Sequence, residues 1–209
     1  GPVLVRIPEP YKEWQRIVSW PYGTVVYDLD LSQDGTRVVM SVGEPSGKQE
    51  VRVFRTGDLT SGNMEPFARF DFGTAVPNNF VFSPNGRYLY GSSYYTGASN
   101  IFRYDLETQK LDAVTNAETG FFRPIPLEQP DSLIVFRYTG NGFVPTRIDA
   151  KPLDDVSAIT FLGERLAEER PIVKQWMVGP PSAVQFDDKL ITRPYRLAGG
   201  LQSESMYPI

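Results

Sequence analysis

The feature that most constrains the fold is a run of residues, 80–115, that has the pattern of four short consecutive strands. Apolar residues alternate with others on both sides of a Ser-Pro-Asn-Gly turn at 83–86. The proline sets φ for a type I turn, and the glycine supplies the left-handed residue that closes a three-residue hairpin loop. Residues 101–106 and 111–115 predict a third strand and a short outer strand. Because such a unit cannot bury both of its faces alone, we expect neighbouring copies.

Copies of this unit occur on both sides of it. An alternating apolar segment at 25–31 leads into Asp34-Gly35 and a further strand, and Gly35 precedes Gly86 by 51 residues. A third, degenerate copy begins at 121, turns at 129–131 and continues through 133–138. A period of this length is typical of propeller blades. The sequence therefore predicts an all-β fold of about three four-stranded antiparallel blades.

Composition excludes several classes of protein. The 209 residues include no Cys and no His, which removes Ser-His-Asp and Cys-His nucleophilic sites and the usual zinc sites from this chain. A net charge of −4 does not favour binding to nucleic acid. No apolar run approaches the roughly 20 residues that a transmembrane helix needs. We expect a chain that is not an enzyme and holds no metal and no cofactor.

Two segments of the second copy resemble a known repeat. Phe-Ser-Pro-Asn-Gly-Arg-Tyr-Leu-Tyr at 82–90 and Ile-Phe-Arg-Tyr-Asp-Leu-Glu-Thr at 101–108 resemble the WD40-like (PD40) repeat of TolB-like β-propellers. The resemblance implies an incomplete propeller over residues 1–184 and an irregular tail or connector over 185–209. The blades are expected at about 21–75, 76–120 and 121–178.

The resemblance also implies a function and a location. Blades of this kind build periplasmic scaffolds and the non-catalytic domains of prolyl oligopeptidase-like enzymes. We expect a non-enzymatic protein-binding or scaffold module of a bacterial cell-envelope protein, periplasmic or outer-membrane-associated in a Gram-negative bacterium. Its partner would be another protein or a neighbouring domain of its parent. The alternative is the non-catalytic gating propeller of a prolyl oligopeptidase-like serine hydrolase whose catalytic domain is absent from this chain.

The ends of the chain bear on the same question. Gly1-Pro2 matches the pair that a site-specific protease leaves on a fusion protein, and the tail resembles the connector to a C-terminal outer-membrane domain. We therefore expect the chain to belong to a longer protein. In that parent, a Gly-x-Ser-x-Gly segment beyond Ile209 would favour the hydrolase, and alternating membrane strands would favour the envelope protein.

Three polar residues form the candidate ligand-binding site. Alignment of the copies places Asp28, Asn79 and Arg123 at equivalent positions, where the innermost strand of each blade begins. Innermost strands of successive blades converge on the central tunnel of a propeller. We predict that these side chains lie at the tunnel mouth, where they contact either a ligand or ordinary solvent.

Other motifs have structural explanations. Asp30 to Gly35 matches the first half of a calcium loop, but position twelve is Ser41 rather than a bidentate Glu, which favours hairpin-turn chemistry. Ser83 precedes a turn and lacks a histidine base, so we interpret it as a turn serine. The neighbouring carboxylates Asp154-Asp155 and Asp187-Asp188 would point to opposite faces of an extended segment and are interpreted as solvated charges.

The aromatic and arginine residues leave an alternative open. Exposed aromatic rings could form a stacking platform for a sugar or a peptide, although rings at strand edges usually pack between blades. The aromatic residues concerned are Trp14, Trp20, Tyr94, Tyr95 and Trp176. Arg52 and Arg103 are interpreted as sheet-face residues rather than an anion site.

An incomplete ring leaves two blade faces uncovered. Residues 3–20 resemble the outer strand of a preceding blade, and the pattern fades after residue 171. Because apolar blade faces seldom stay in contact with water, we predict one of two arrangements. The chain either self-associates through its open flanks or folds its terminal segments back over them.

Overall fold

A computed structural model describes residues 1–117, 119–129, 131–154 and 169–172 of the chain. Contacts divide the chain into Gly1–Phe161 and Leu162–Ile209, and all the strands described here belong to the first unit. The strands are β1 Val3–Arg6, β2 Gln15–Ser19, β3 Val25–Leu31, β4 Arg37–Gly43, β5 Gln49–Arg55, β6 Ala68–Asp71, β7 Pro77–Phe82, β8 Tyr88–Ser93, β9 Asn100–Asp105, β10 Lys110–Ala113, β11 Phe121–Pro126, β12 Ser132–Thr139 and β13 Gly142–Asp149. One short helix, α1, spans Thr56–Thr60.

The strands form sheets in which chain neighbours pair antiparallel. Strands β3 to β6 form one four-stranded sheet in chain order, blade 1, and strands β7 to β10 form another, blade 2. Strands β11 to β13 form a three-stranded sheet, blade 3, and β1 pairs with β2 as an N-terminal hairpin. This strand order confirms the predicted all-β fold of consecutive antiparallel β-propeller blades. In the described part of the chain the blades do not close a ring.

The two predicted hairpin turns are confirmed and share one set of hydrogen bonds. Gly35 and Gly86 have φ values of 69° and 68°, in the left-handed region that favours glycine. The hydroxyl of Ser32 donates to Asp34 Oδ1 at 2.6 Å, and the hydroxyl of Ser83 donates to Asn85 Oδ1 at 2.7 Å. Ser83 is therefore a turn serine, as the sequence indicated.

The principal core lies between blades 1 and 2. Valines of β4 and β5 pack with aromatic residues of β6 to β9 and their loops, including Val39, Val51, Val53, Phe72, Phe80, Phe102 and Tyr104. Phe72 contacts the ring of Phe80 with centroids 5.5 Å apart. A second cluster joins Val18 and Trp20 of the N-terminal segment to Met40 and Phe54 of blade 1. Each blade therefore needs a neighbour to bury its apolar side chains.

Helix α1 was not predicted, because Thr-Gly-Asp-Leu-Thr has low helix propensity. Burial of Leu59 stabilises it, since this side chain lies in the cluster with Val38 and Met40. The Thr60 hydroxyl also donates to the carbonyl of Thr56 at 2.7 Å. Tertiary contacts thus override local propensity here.

Several sequence predictions fall outside the described residues. These are the parts of the expected third blade at 155–168 and 173–178, the boundary between 184 and 185, and the tail from 185 onward. For the described residues, the structure contains no helix long and apolar enough to span a membrane.

Candidate functional site

Two of the predicted site residues, Asn79 and Arg123, lie in β-bulges, and the third, Asp28, directly follows a β-bulge in the first copy. The register of each inner strand shifts near its start, between Val26 and Asp28 in β3, across Asn79 in β7 and across Arg123 in β11. Asn79 and Arg123 have φ values of 52° and 47°, which few residues other than glycine adopt. A bulge turns a side chain away from the regular alternation of its strand. The alignment of the copies therefore located one recurring backbone feature.

Asp28 uses one carboxylate oxygen within blade 1 and the other to connect blade 1 to blade 2. Its Oδ1 accepts a hydrogen bond from the Ser41 hydroxyl, and its Oδ2 accepts one from the main-chain N–H of Asn79, each at 2.7 Å. Burial raises the pKa of the Asp28 carboxyl, and these two hydrogen bonds offset only part of that effect. Asp30 acts in the same way, because its Oδ2 accepts the N–H of Phe82 at 2.9 Å.

Asn79 and Arg123 lie together in one cleft, the tunnel-mouth cleft, of about 480 Å³. It is lined by Asn78, Asn79, Ser92, Phe122, Arg123, Phe136 and Phe143. The cleft lies where blade 2 meets blade 3, and Asp28 contacts it only through the backbone of Asn79. The structure therefore brings two of the three predicted residues to one site and gives the third a structural role.

Arg123 supplies the positive charge of the cleft. Its side chain is exposed and forms no ion pair with a described residue. A guanidinium group presents five N–H donors in a planar fork, which suits carboxylates and stacks on aromatic rings. The amides of Asn78 and Asn79 add donors and acceptors nearby. The cleft is therefore equipped to bind an anionic or amide-containing group.

A row of aromatic rings forms the apolar side of the cleft. Phe122 lies at its centre, with ring centroids 6.3 Å from Tyr94 and 5.3 Å from Phe143. Phe143 in turn lies 5.4 Å from Tyr138. Tyr94, Tyr138 and Phe143 are all exposed. Only Tyr94 of this row was predicted from the sequence, although Phe122 adjoins Arg123 and Phe143 follows the Gly142 turn.

The other aromatic candidates do not join this row. Trp20 is buried in the cluster beside blade 1, and Tyr95 packs against Phe72 at a centroid distance of 5.4 Å. Trp14 is exposed near the N-terminal hairpin, and Trp176 lies outside the described residues. Trp20 and Tyr95 therefore pack against neighbouring side chains, as expected of rings at strand edges, and do not belong to a common stacking platform.

The remaining candidate residues take part in local interactions. Arg52 pairs with Glu44 and Glu50, and Arg103 stacks on the ring of Tyr88 at 4.5 Å. Asp154 is exposed, whereas Asp155, Asp187 and Asp188 lie outside the described residues.

The calcium-like loop is held by its own hydrogen bonds. The carboxylate of Asp34 accepts from the Ser32 hydroxyl, and from the N–H and the hydroxyl of Thr36. These bonds lower the pKa of Asp34 from 3.8 to about 2. Within the described ranges, no group of three His, Cys, Asp or Glu side chains is arranged to hold a metal ion.

Comparison with known proteins finds similarity at the level of fold. No protein-family model and no curated protein matches the chain. Among solved structures, a TolB candidate from Agrobacterium tumefaciens is 16% identical, with a TM-score of 0.46 over 68% of this chain and 44% of that one. A puromycin hydrolase is 17% identical, with a TM-score of 0.46 over 64% of this chain and 22% of the enzyme.

A prolyl endopeptidase structure is 14% identical, with a TM-score of 0.46 over 69% of this chain and 24% of that one. The chain thus spans less than half the length of each of these three structures. At such identities and TM-scores the likeness identifies no family. The assignment of blades rests on the strand order of the chain itself.

Proposed function

We propose that this chain is a non-enzymatic β-propeller module that binds a protein partner through the tunnel-mouth cleft. The supporting observation is an exposed Arg123 that forms no ion pair with a described residue and lies beside phenylalanines in a cleft of about 480 Å³. Arginine and aromatic residues are enriched at the energetic centres of protein interfaces. Cationic, amide and aromatic groups in one cleft match an extended peptide segment that carries an acidic residue next to an apolar one.

The parent protein is proposed to reside in the bacterial cell envelope, in the periplasm or at the outer membrane. This part of the proposal is supported by the Ser-Pro-Asn-Gly and Tyr-Asp-Leu-Glu-Thr motifs of blade 2, which resemble TolB-like repeats. Fractionation of cells that express the complete parent gene tests the location. Recovery of the protein in the cytosolic fraction would contradict it.

Selection of peptides from a displayed 12-residue library tests the binding proposal. We expect wild-type protein to enrich sequences that combine acidic and apolar residues, because the cleft combines Arg123 with phenylalanines. Arg123→Ala is expected to weaken binding of the selected peptides by about tenfold, since a hydrogen bond to a charged group contributes about 1.5–3 kcal/mol to the binding free energy. Phe143→Ala is expected to weaken the binding of these peptides as well.

Arg137→Ala is the matched control, because Arg137 is an exposed arginine of the same blade that does not line the cleft. This variant should bind the selected peptides as wild type does. Equal losses for Arg123→Ala and Arg137→Ala would show that net charge rather than the cleft binds the peptide. If no peptide is enriched, and a Gly-x-Ser-x-Gly segment follows in the parent gene, a gating propeller of a serine hydrolase replaces this proposal.

A further inference from the structure

Two Asn-Gly pairs occur in the chain, at 85–86 and at 141–142. Each pair lies in a hairpin turn, the first between β7 and β8 and the second between β12 and β13. In both turns the glycine is left-handed, with φ values of 68° at Gly86 and 95° at Gly142. Asn85 and Asn141 are both exposed. The two pairs therefore share their sequence and the conformation of their glycine, and they differ in how the asparagine side chain is held.

The side chain of Asn85 is held within its own turn. Its Oδ1 accepts hydrogen bonds from the Ser83 hydroxyl at 2.7 Å and from the main-chain N–H of Arg87 at 3.1 Å. The Ser83 hydroxyl is itself buried and accepts the main-chain N–H of Tyr88 at 2.9 Å. These hydrogen bonds fix the amide group of Asn85 against the backbone on both sides of the turn.

The side chain of Asn141 is not held in this way. Thr139 Oγ1 accepts the main-chain N–H of Asn141 at 3.2 Å and donates to the Gly142 carbonyl at 3.0 Å. No described residue forms a hydrogen bond with the amide group of Asn141. A Cβ atom at Gly140 or at Gly142 would meet no atom within 4 Å, so the space around the turn is open. The amide group of Asn141 is therefore free to rotate.

We propose that Asn141 is a site of spontaneous deamidation, from which Asn85 is protected. The main-chain nitrogen of Gly142 attacks Cγ of Asn141 and closes a five-membered succinimide ring. The side-chain nitrogen leaves as ammonia and takes the proton of the Gly142 N–H. Water then opens the ring at either carbonyl group, which leaves aspartate or isoaspartate at position 141. Glycine has no side chain to shield the attacking nitrogen, and ring closure requires a rotation of the asparagine side chain that the hydrogen bonds of Asn85 oppose.

Isoaspartate at this position changes the hairpin itself. It adds a carbon atom to the backbone of a turn whose length fixes the register of β12 with β13. Tyr138 pairs with Phe143 beside the turn, and their ring centroids are 5.4 Å apart. Phe143 also lines the tunnel-mouth cleft. Deamidation of Asn141 therefore displaces an aromatic residue of the cleft and adds a negative charge two positions before it in the chain.

Peptide mapping of aged protein tests the proposal. The folded chain is incubated for several days at mildly alkaline pH, and each asparagine is followed by the mass increase of about 1 Da that deamidation causes. Trypsin cleaves after Arg137 and Arg147, which places Asn141 in a peptide with no other asparagine. We expect Asn141 to react about tenfold faster than Asn85, because Asn85 must first break two hydrogen bonds.

Two comparisons separate the effect of structure from that of sequence. In concentrated urea the hydrogen bonds of both turns are lost, so Asn85 and Asn141 should react at similar rates. A Ser83→Ala variant removes one hydrogen bond to Asn85. This change should accelerate deamidation at Asn85 and leave the rate at Asn141 unchanged, which makes Asn141 an internal control for general loosening of the fold. The urea midpoint of the variant establishes that it remains folded.

The effect on the tunnel-mouth cleft is measured separately, since this part of the inference rests on the proposed function. Aged wild-type protein should bind the selected acidic peptides more weakly than fresh protein does. Asn141→Gln is the matched control, because glutamine closes the corresponding six-membered ring far more slowly, and this variant should bind alike before and after ageing. If fresh protein binds no peptide, the proposed function fails, while peptide mapping still decides whether Asn141 is deamidated.

Three results would overturn the proposal. The first is equal rates of deamidation at Asn85 and Asn141 in the folded chain. The second is an intact Asn141 in folded protein after a period in which the urea-unfolded chain reacts fully, because the turn would then protect it. The third is an unchanged rate at Asn85 in the Ser83→Ala variant, which would show that the hydrogen bond from Ser83 gives no protection.

Discussion

The main-chain N–H of Asn79 donates a hydrogen bond of 2.7 Å to Oδ2 of Asp28, although 51 residues separate them in sequence. The bond joins the inner strands of two blades near their bulges. It satisfies a backbone donor on the unpaired edge of β7, where no further strand is present among the described residues. Asp28 therefore links the inner strands of blades 1 and 2.

Replacement of Asp28 by Ala is expected to lower the free energy of unfolding by about 1–3 kcal/mol, because two donors lose their acceptor in a half-buried site. Asp28→Asn should cost less, since its carbonyl oxygen can keep one of the two hydrogen bonds. Urea denaturation measures both. Asp149→Ala is the control, as Asp149 is an exposed aspartate of β13. If the urea midpoint of Asp28→Ala equals that of the control, the hydrogen bond from Asn79 to Asp28 does not stabilise the contact between the blades.

Replacement of Asp34 by Asn is expected to reduce the loss of stability in acid. The pKa of Asp34 is about 2 in the folded chain, below its ordinary value of 3.8. A carboxyl whose pKa is lowered by folding stabilises the protein above pH 3.8, and that contribution disappears as the pH falls through 2. Asn cannot titrate, so the stability of Asp34→Asn should change less between pH 4 and pH 2.

The second blade supports this expectation. Asn85 occupies the equivalent position and accepts the Ser83 hydroxyl and the N–H of Arg87 with a neutral side chain. Asp34→Asn should therefore keep the hairpin intact. If thermal melts of wild type and variant show the same pH dependence over that interval, Asp34 does not contribute to acid sensitivity.

Replacement of Gly91 by Ala is expected to destabilise the protein by about 1–3 kcal/mol through overpacking. A Cβ atom at this position would overlap the ring of Phe80, which is buried between blades 1 and 2. Gly57→Ala is the matched control, because a Cβ there meets no atom within 4 Å. Adding Phe80→Leu to Gly91→Ala should recover stability relative to the sum of the single changes. If the double variant loses as much stability as the two single variants together, residue 91 and the Phe80 ring do not interact directly.

Replacement of Gly35 or Gly86 by Val is expected to cost about 1–3 kcal/mol, because a β-branched residue is strained at φ near 69°. Gly86→Val should cost more than Gly35→Val. A Cβ at Gly86 meets the guanidinium of Arg37, whose Nη1 donates to the Gly86 carbonyl at 2.8 Å, whereas the space around Gly35 is open. Denaturation midpoints of the two variants give the comparison, and an unchanged midpoint for either would refute its turn assignment.

Addition of calcium at millimolar concentration is expected to leave the melting temperature unchanged. Asp30 and Asp34 already accept hydrogen bonds from Phe82, Ser32 and Thr36, and Ser41 replaces the bidentate ligand of a calcium loop. A site that binds weakly gives no stabilisation by mass action. Differential scanning fluorimetry with calcium and with EGTA measures the effect. A calcium-dependent rise of several degrees would make Asp30 and Asp34 metal ligands.

Local sequence determined the blades themselves. The Ser-x-Asp/Asn-Gly turns at 32–35 and 83–86 form the same hydrogen bonds in the structure, because the side chains that close each turn lie within five residues of one another. Alternation of apolar residues also predicted the inner strands at 25–31 and 80–82. The alignment of copies also located the bulges beside Asp28 and at Asn79 and Arg123, since a repeated backbone feature recurs at a repeated position.

Only the tertiary structure decided what those positions do. Asp28 and Asn79 are equivalent in sequence, yet they have different surroundings. Asp28 accepts a hydrogen bond from the backbone of blade 2, whereas Asn79 lines a cleft in which the next blade presents Arg123 and phenylalanines. Phe122, Phe136 and Phe143 lie on three different strands, and no local pattern relates them. The exposure of Leu29 and the burial of Phe80 differ for the same reason. Burial depends on which sheet lies opposite, and that is a property of blade order rather than of the segment itself.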